Sequence, residues 1–282
     1  MSDQLTQLRS QQDKSVNLIT SDGPGLYEFR YVRRNDDKAS FYVSSQSGCE
    51  MHCRMCGLTQ TGQTSSKNAS LINLIKQIDR LLIEYANSQP PAKVIHINFM
   101  ARGEPLLNTS INRHSLDDLK YHVEIFSGVP TVPIISTIAP ARVLYRLTKF
   151  PEHTRIYYSL YSTNETWRKK WFPRAADCEQ AIRVLQSHPG EVRLHMPFIA
   201  GENDSPKDVD GILDAAKRLQ CKINVIRFNP QGSRYDESPF LSEIVDYMTD
   251  KHDQPVKIVD RVGEDVHASC GMFYAAEAGR ST

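Results

Sequence analysis

Apolar positions along this chain come in short blocks, and the period of the blocks alternates. FYVSS (41–45), VIHINFM (94–100), VPIIST (132–137), RIYYSL (155–160), EVRLHMPFI (191–199), INVIRF (223–228) and VKIVDR (256–261) read as strands. Segments of helical period lie between them. In LINLIKQIDRLLIEYA (71–86), Leu71, Leu74, Ile75, Ile78, Leu81 and Leu82 share one helical face, and Pro90 and Pro91 stop the helix. Further helices are predicted over 114–126, over ARVLYRLT after Pro140, near 177–188, at 206–219 and at 239–251. Strand–helix alternation implies βα units and a parallel sheet. About six or seven units are legible, too few for a full eight-stranded barrel. No GxGxxG follows the first strand, so an open, partial barrel fits better than a doubly wound dinucleotide fold. Residues 1–25 are polar and weakly patterned, and a mobile arm or a short helix is expected there.

Composition narrows the class. At 282 residues the chain can form one large domain with a full core, and its 40% hydrophobic and 24% charged residues are ordinary globular usage. No apolar run reaches the roughly 18 residues of a membrane span. The opening MSDQLTQLRSQQDKS lacks the apolar core of a secretory signal. A soluble, cytoplasmic protein without a membrane partner is expected. Its thiols are then free, metal-bound or catalytic rather than paired in disulfides. A net charge of +1 neither demands nor excludes nucleic acid, so any basic surface has to be local.

The sharpest chemical signal is SGCEMHCRMCGLTQTG (47–62), which places Cys49, Cys53 and Cys56 in one loop at a strand end. In parallel α/β folds chemistry gathers at the C-terminal ends of the strands. A structural zinc site wants four ligands, usually from paired knuckles, and no second CxxC is present, although His52 lies within the run. Iron–sulfur clusters also normally take four cysteines, so three would leave one iron open to a ligand. A three-cysteine zinc loop completed by His52, or unrelated buried thiols, are the alternatives.

The Cys-xxx-Cys-xx-Cys spacing resembles the signature of the radical S-adenosylmethionine (radical SAM) superfamily. The resemblance implies a 4Fe-4S cluster held by Cys49, Cys53 and Cys56, with SAM chelated at the open iron and cleaved reductively to a 5′-deoxyadenosyl radical. The likeness extends further. VSSQSGCEMHCRMC (43–56), MARGEPLLN (100–108), STIAP (136–140), YYSLYSTNETWRKKWFP (157–173), GENDSPKD (201–208), CKINVIRFNP (221–230) and VGEDVHASCG (262–271) resemble, in order, segments of the radical SAM RNA adenosine methyltransferases of RlmN and Cfr type. The resemblance covers roughly residues 26–275, leaving 276–282 as a tail. It implies an α/β fold of radical SAM type, a partial (β/α)6 TIM-like barrel with a short N-terminal extension. Matched residue by residue, Gly103, Glu104, Ser136, Ser159 and Asn229 are the implied SAM contacts. Cys270 is the implied carrier, S-methylated by a first SAM. Hydrogen abstraction from that methyl group then lets its carbon add to C2 or C8 of an adenine. Glu28, in YEFRYV, matches a glutamate proposed as proton acceptor, against a solvated strand-edge glutamate as the plainer reading. An external one-electron reductant is the implied partner.

The pattern breaks in two places. The family has a second cysteine just before VSSQ, which releases the methylated product through a disulfide with the C-terminal cysteine; this chain has Tyr42 there. Either another thiol (Cys178, Cys221 or an outside reductant) resolves the adduct, or the chemistry differs, or turnover is lost. Only 48 residues precede Cys49, which leaves little room for the family's N-terminal RNA-gripping domain. The basic stretch TWRKKWFPR (166–174) interleaves Trp167 and Trp171 with Arg168, Lys169, Lys170 and Arg174 and suits a splayed nucleotide, unless the tryptophans pack inward. The expected function is C-methylation of an adenine base, in RNA or a smaller nucleotide-like substrate. The rivals are a radical SAM reaction on a non-RNA small molecule or peptide, and a non-catalytic metal- or RNA-binding module.

Overall fold

The computed structural model describes residues 5–22, 25–230, 234–269 and 271–273. Ten strands form one sheet whose spatial order is the order of the sequence. β1 (Leu5–Arg9), β2 (Val16–Asp22), β3 (Gly25–Asn35) and β4 (Lys38–Tyr42) pair antiparallel. Residues 5–22 are therefore not the arm or short helix expected from the sequence. Val16 and Leu18 of β2 enter the core, and Asn17 between them is buried on the other face. The pattern is weak because β1 is an edge strand with few buried positions.

From β4 onward every pairing is parallel, as the alternation predicts. The first crossover carries α1 (Gly57–Gln60) and α2 (Leu71–Ala86), and leads to β5 (Val94–Phe99). α3 (Arg113–Ser127) leads to β6 (Thr131–Thr137), and a 3-10 segment at Ala141–Lys149 leads to β7 (Arg155–Tyr158). The regular helix expected over ARVLYRLT is thus tighter, and it kinks at Val143. α4 (Glu165–Trp171) and α5 (Cys178–Leu185) precede β8 (Val192–Met196). α6 (Pro206–Leu219) precedes β9 (Lys222–Ile226), and α7 (Leu241–Lys251) precedes β10 (Val256–Val259). Six crossovers join the parallel strands, so the architecture is an open (β/α)6-type partial barrel.

The helix boundaries follow local chemistry. Ser70 and Asn73 form a capping box at the start of α2, and Asn112 and Ser115 form one at α3. Ser205 caps α6, with Pro206 at its first position. Strand period then divides two environments. Ala39 and Phe41 of β4 enter the main core under the helices, with Ile95, Ile97 and Phe99 of β5 and Leu194 and Met196 of β8. Their alternates, Lys38, Ser40, Tyr42, His96, Asn98 and His195, line a cavity on the enclosed side.

Candidate functional site: a cysteine-lined cavity at the strand ends

Two sequence motifs form one unit at the C-terminal end of the barrel. The N–H groups of Ser45 and Gln46 donate to the Arg102 carbonyl at 2.9 and 3.2 Å, and the Glu104 N–H donates to Gln46 Oε1 at 2.9 Å. Asn108 Nδ2 donates to the Ser45 and Ala69 carbonyls, each at 2.8 Å. VSSQ and ARGEPLLN are thus clasped together by hydrogen bonds. Gly103 sits at φ +94° against Gln46, and a Cβ there would lie 2.6 Å from Gln46 Cβ. Gly48 is equally constrained: a Cβ would lie 2.2 Å from the Ser65 carbonyl oxygen.

The cysteine loop descends from this clasp. The Cys49 N–H donates to the Gln63 carbonyl at 3.1 Å, and the Arg54 N–H donates to the Trp171 carbonyl at 2.9 Å. Cys56 caps α1 by accepting the N–H groups of Thr59 and Gln60 at its carbonyl. Cys49, Cys53 and Cys56 line one cavity of about 130 Å³, together with Gly103, Glu104, Ser136 and Ser159. Asn229 lines an adjoining cavity of about 170 Å³ that shares Cys53, Cys56 and Phe273 with the first. Every residue matched to SAM or cluster binding in the sequence therefore borders this region. Cys270 lies outside the described residues, but residues 271–273, directly after it, are described. Gly271 and Phe273 line the second cavity, and Phe273 packs against Leu58, Cys49 and Cys56.

The electrostatics suit a bound cationic centre. Burial pushes all three thiols up; Cys56 pushes Cys49 further, and Cys49 and Cys56 do the same to Cys53. At Cys56 the N–H groups of Leu58 and Thr59, then Arg102 and Arg30, pull back against burial. Crowded buried thiols of this kind ionise only with a partner that compensates the charge, which a metal centre does. Among the described residues no three His, Cys, Asp or Glu side chains converge closely enough to hold a single ion. The three cysteines nevertheless border one cavity, which His52 does not line. Burial raises the Glu104 carboxyl to about 7, opposed by the Leu106 N–H, the Thr137 hydroxyl and the Ile138 N–H. An ammonium group entering the cavity would restore its charge.

Glu28 is fully buried on β3 and is no solvated edge residue. Its Oε1 accepts from Asn17 Nδ2 at 2.9 Å and from Arg30 Nη2 at 3.2 Å, and Arg102 Nη1 stands 3.9 Å from its Oε2. It does not line the cysteine cavity. Arg30 instead carries the link outward, donating to the Ser269 carbonyl at 3.0 Å and to the Met272 carbonyl, with its guanidinium 5.1 Å from the Phe273 ring. Glu28 thereby anchors both sides of the segment that contains Cys270. Sequence reasoning missed Arg102, whose Nε donates to the Ser47 carbonyl at 2.9 Å and whose Nη2 reaches Gln63. The signal was an arginine directly before Gly103 in an otherwise apolar strand end.

Two expectations change. Trp167 and Trp171 pack inward, stacked at 4.9 Å, and each donates its indole N–H to Glu202 at 3.1 Å. Arg168, 2% exposed, donates to the Leu160 and Ala176 carbonyls. The stretch 166–174 is therefore no aromatic platform for a nucleotide. The large indole areas are buried under Cys53 and Met55, where they buttress the cysteine loop. Cys178 and Cys221 are core residues away from the cavity, with thiols pushed up by burial to about 11 and about 12. Neither lines the cysteine cavity or the adjoining one, and Tyr42 lines the cavity on the enclosed side of the barrel.

No model of a known protein family matches the chain. By sequence, the chain is 27% identical over 290 residues to the dual-specificity RNA methyltransferase RlmN of Oleidesulfovibrio alaskensis, an alignment that covers 98% of this chain and 79% of that protein. It is 25% identical to the RlmN of Phenylobacterium zucineum, over 96% of this chain and 72% of that one. Among solved structures, a radical SAM methyltransferase from Sphaerobacter thermophilus superposes with a TM-score of 0.79 over 96% of this chain and 81% of the other; at 18% identity that likeness speaks for the fold. No helix among the described residues is long and apolar enough to cross a membrane.

Proposed function

We propose that the chain, similar in sequence to RlmN methyltransferases over nearly its whole length, C-methylates an adenine base, in RNA or a smaller nucleotide-like substrate, with Cys270 as methyl carrier. The observation that supports this reading most is convergence. Cys49, Cys53, Cys56, Glu104, Ser136 and Ser159 border one cavity, and Phe273, three residues beyond Cys270, closes onto Cys49 and Cys56. A 4Fe-4S cluster and SAM, when bound, would supply a radical able to take hydrogen from an unactivated methyl group. The three cysteines would hold the cluster, and Glu104 would take the SAM ammonium. Ser136, Ser159 and Asn229 offer neutral polar atoms to its remaining groups. Phe273 and Leu58 exclude water from the cysteine side. Glu28, through Arg30, positions the segment that carries Cys270 rather than touching the reacting atoms.

A base methylated at carbon must leave its stack to reach this cavity. The test is nucleoside analysis by mass spectrometry after anaerobic incubation of the reconstituted protein with RNA, SAM and a one-electron reductant. Methylated adenosine made by the native chain, and not by Cys270→Ala, is the expected result. Methylation that survives Cys270→Ala overturns the carrier role.

One observation favours a second reading. No described thiol other than the three cluster candidates borders the cavity, and the position of the family's second cysteine is Tyr42. A radical reaction on a non-RNA substrate, without disulfide resolution, accommodates both facts. In that case 5′-deoxyadenosine accumulates under reduction while RNA stays unmodified.

A further inference from the structure

The inward positions of a (β/α) barrel are ordinarily filled by bulky branched side chains. Here the enclosed side holds a cavity of about 280 Å³ lined by Lys38, Ser40, His96, Tyr157, His195 and Asn224. That volume is near the lower end of the roughly 300–1,000 Å³ typical of small-molecule pockets. The cavity is distinct from the cysteine-lined one; of its wall, His195 alone is shared with it.

Charge in this cavity is unbalanced. The charged neighbours that act on Lys38 are Lys257, Arg34, Arg193 and Arg155, all cations. Arg155 and Arg193 both pair with Glu191, at 2.5 and 2.7 Å, and Lys222 approaches the same carboxylate at 3.5 Å. Arg34 donates to the backbone carbonyl of Asp260, and Asp260 is the one carboxylate residue in the cavity wall. Among the described residues no carboxylate stands within ion-pair distance of Arg34, Lys38 or Lys257. Burial first, then this company of cations, lowers the Lys38 ammonium to about 8.

The floor of the cavity is independently unsatisfied. His195 stacks on Tyr157 with centroids 4.9 Å apart, is 6% exposed, and has no hydrogen-bond partner at either ring nitrogen. Asn224 is 2% exposed and its Oδ1 has none. Buried polar atoms are nearly always paired, and leaving one unpaired costs about 1–3 kcal/mol. Two such side chains facing one cavity, whose wall carries Arg34, Lys38 and Lys257 against the single carboxylate of Asp260, describe a binding site with donors and acceptors waiting.

We propose that the barrel lumen binds a small phosphate-bearing ligand, with Lys38, Arg34 and Lys257 around the oxyanion and His195 and Asn224 meeting its other polar atoms. Inorganic phosphate and a nucleotide phosphate share this chemistry. The site stands apart from the methyl-transfer reading and is tested without turnover.

The experiment is isothermal titration calorimetry of the full chain with sodium phosphate and, separately, adenosine 5′-monophosphate. Saturable binding of at least one is expected. A tighter complex with the monophosphate identifies a nucleotide as the source, and equal affinity identifies free phosphate. Lys38→Met is expected to weaken binding about tenfold to a hundredfold, the worth of one charge-assisted contact. Its ligand-free melting temperature is expected to hold or rise, because like charges are relieved. Lys257→Gln, at the exposed rim, gives a second variant in which folding is not at stake and is expected to weaken binding in the same direction. Absence of saturable binding by both probes, or undiminished binding in both variants, overturns the proposal.

Discussion

The two faces of the same parallel strands behave as different materials. On β4, Ala39 and Phe41 are sealed under the helices, while Lys38, Ser40 and Tyr42 border a polar lumen. On β8, Leu194 and Met196 belong to the core, while Arg193 pairs with Glu191 and the ring nitrogens of His195 have no hydrogen-bond partner. The helix-facing set is apolar, contiguous and interchangeable in kind. The lumen set is polar, specific and incompletely satisfied. One face holds the barrel together, and the other, with the loops at its C-terminal rim, is where ligands are to be expected.

The comparison is broken most completely at the rim. If the proposed iron–sulfur centre is present, Cys53→Ala is expected to abolish it and with it SAM cleavage, leaving a colourless, folded protein; the check is iron and sulfide content beside circular dichroism. On the helix face, Phe41→Ala removes a fully buried ring and is expected to cost about 3–5 kcal/mol, read by urea unfolding.

Glu104 sharpens the contrast because its burial is useful only when a cation arrives. Its carboxyl is raised from 4.5 to about 7. Between those values the folded chain keeps a proton that the unfolded chain has released. This group's contribution to stability is therefore present at low pH and is lost as pH rises through that window, by up to about 3 kcal/mol. Glu104→Gln is expected to flatten that fall in urea melts spanning the window and to weaken SAM binding. A fall of unchanged size would place its cause elsewhere. The smallest effect is expected on the lumen face, where Ser40→Ala changes stability by less than about 1 kcal/mol.

Much of this was legible in the residues. The helices at 71–86 and 206–219 match α2 and α6 end for end, because both have a serine cap and a clear apolar stripe. The cysteine spacing and the Gly103–Glu104 pair pointed to one site, and the chain brings them to one cavity. Three things were not legible. β1 has no fully buried position, and β2 buries a continuous run from Val16 to Ile19 that includes polar Asn17, so neither shows an apolar–polar alternation. The sequence left the tryptophans of 166–174 open between a nucleotide platform and inward packing, because charged neighbours masked their inward face, and even Arg168 is interior. The strands that line the lumen read as apolar runs. Their polar alternates, His96, His195 and Asn224, gain meaning only when curvature of the sheet brings β5, β8 and β9 round one space.

The methyl-carrier reading is tested most directly at one sulfur. The chain would be purified anaerobically, its cluster rebuilt, SAM and reductant added, and the peptide containing Cys270 weighed by mass spectrometry. A methyl or methylene addition on Cys270 is the predicted result. An unmodified Cys270 alongside 5′-deoxyadenosine formation would contradict it, keeping the radical SAM chemistry while removing the carrier on which adenine methylation depends.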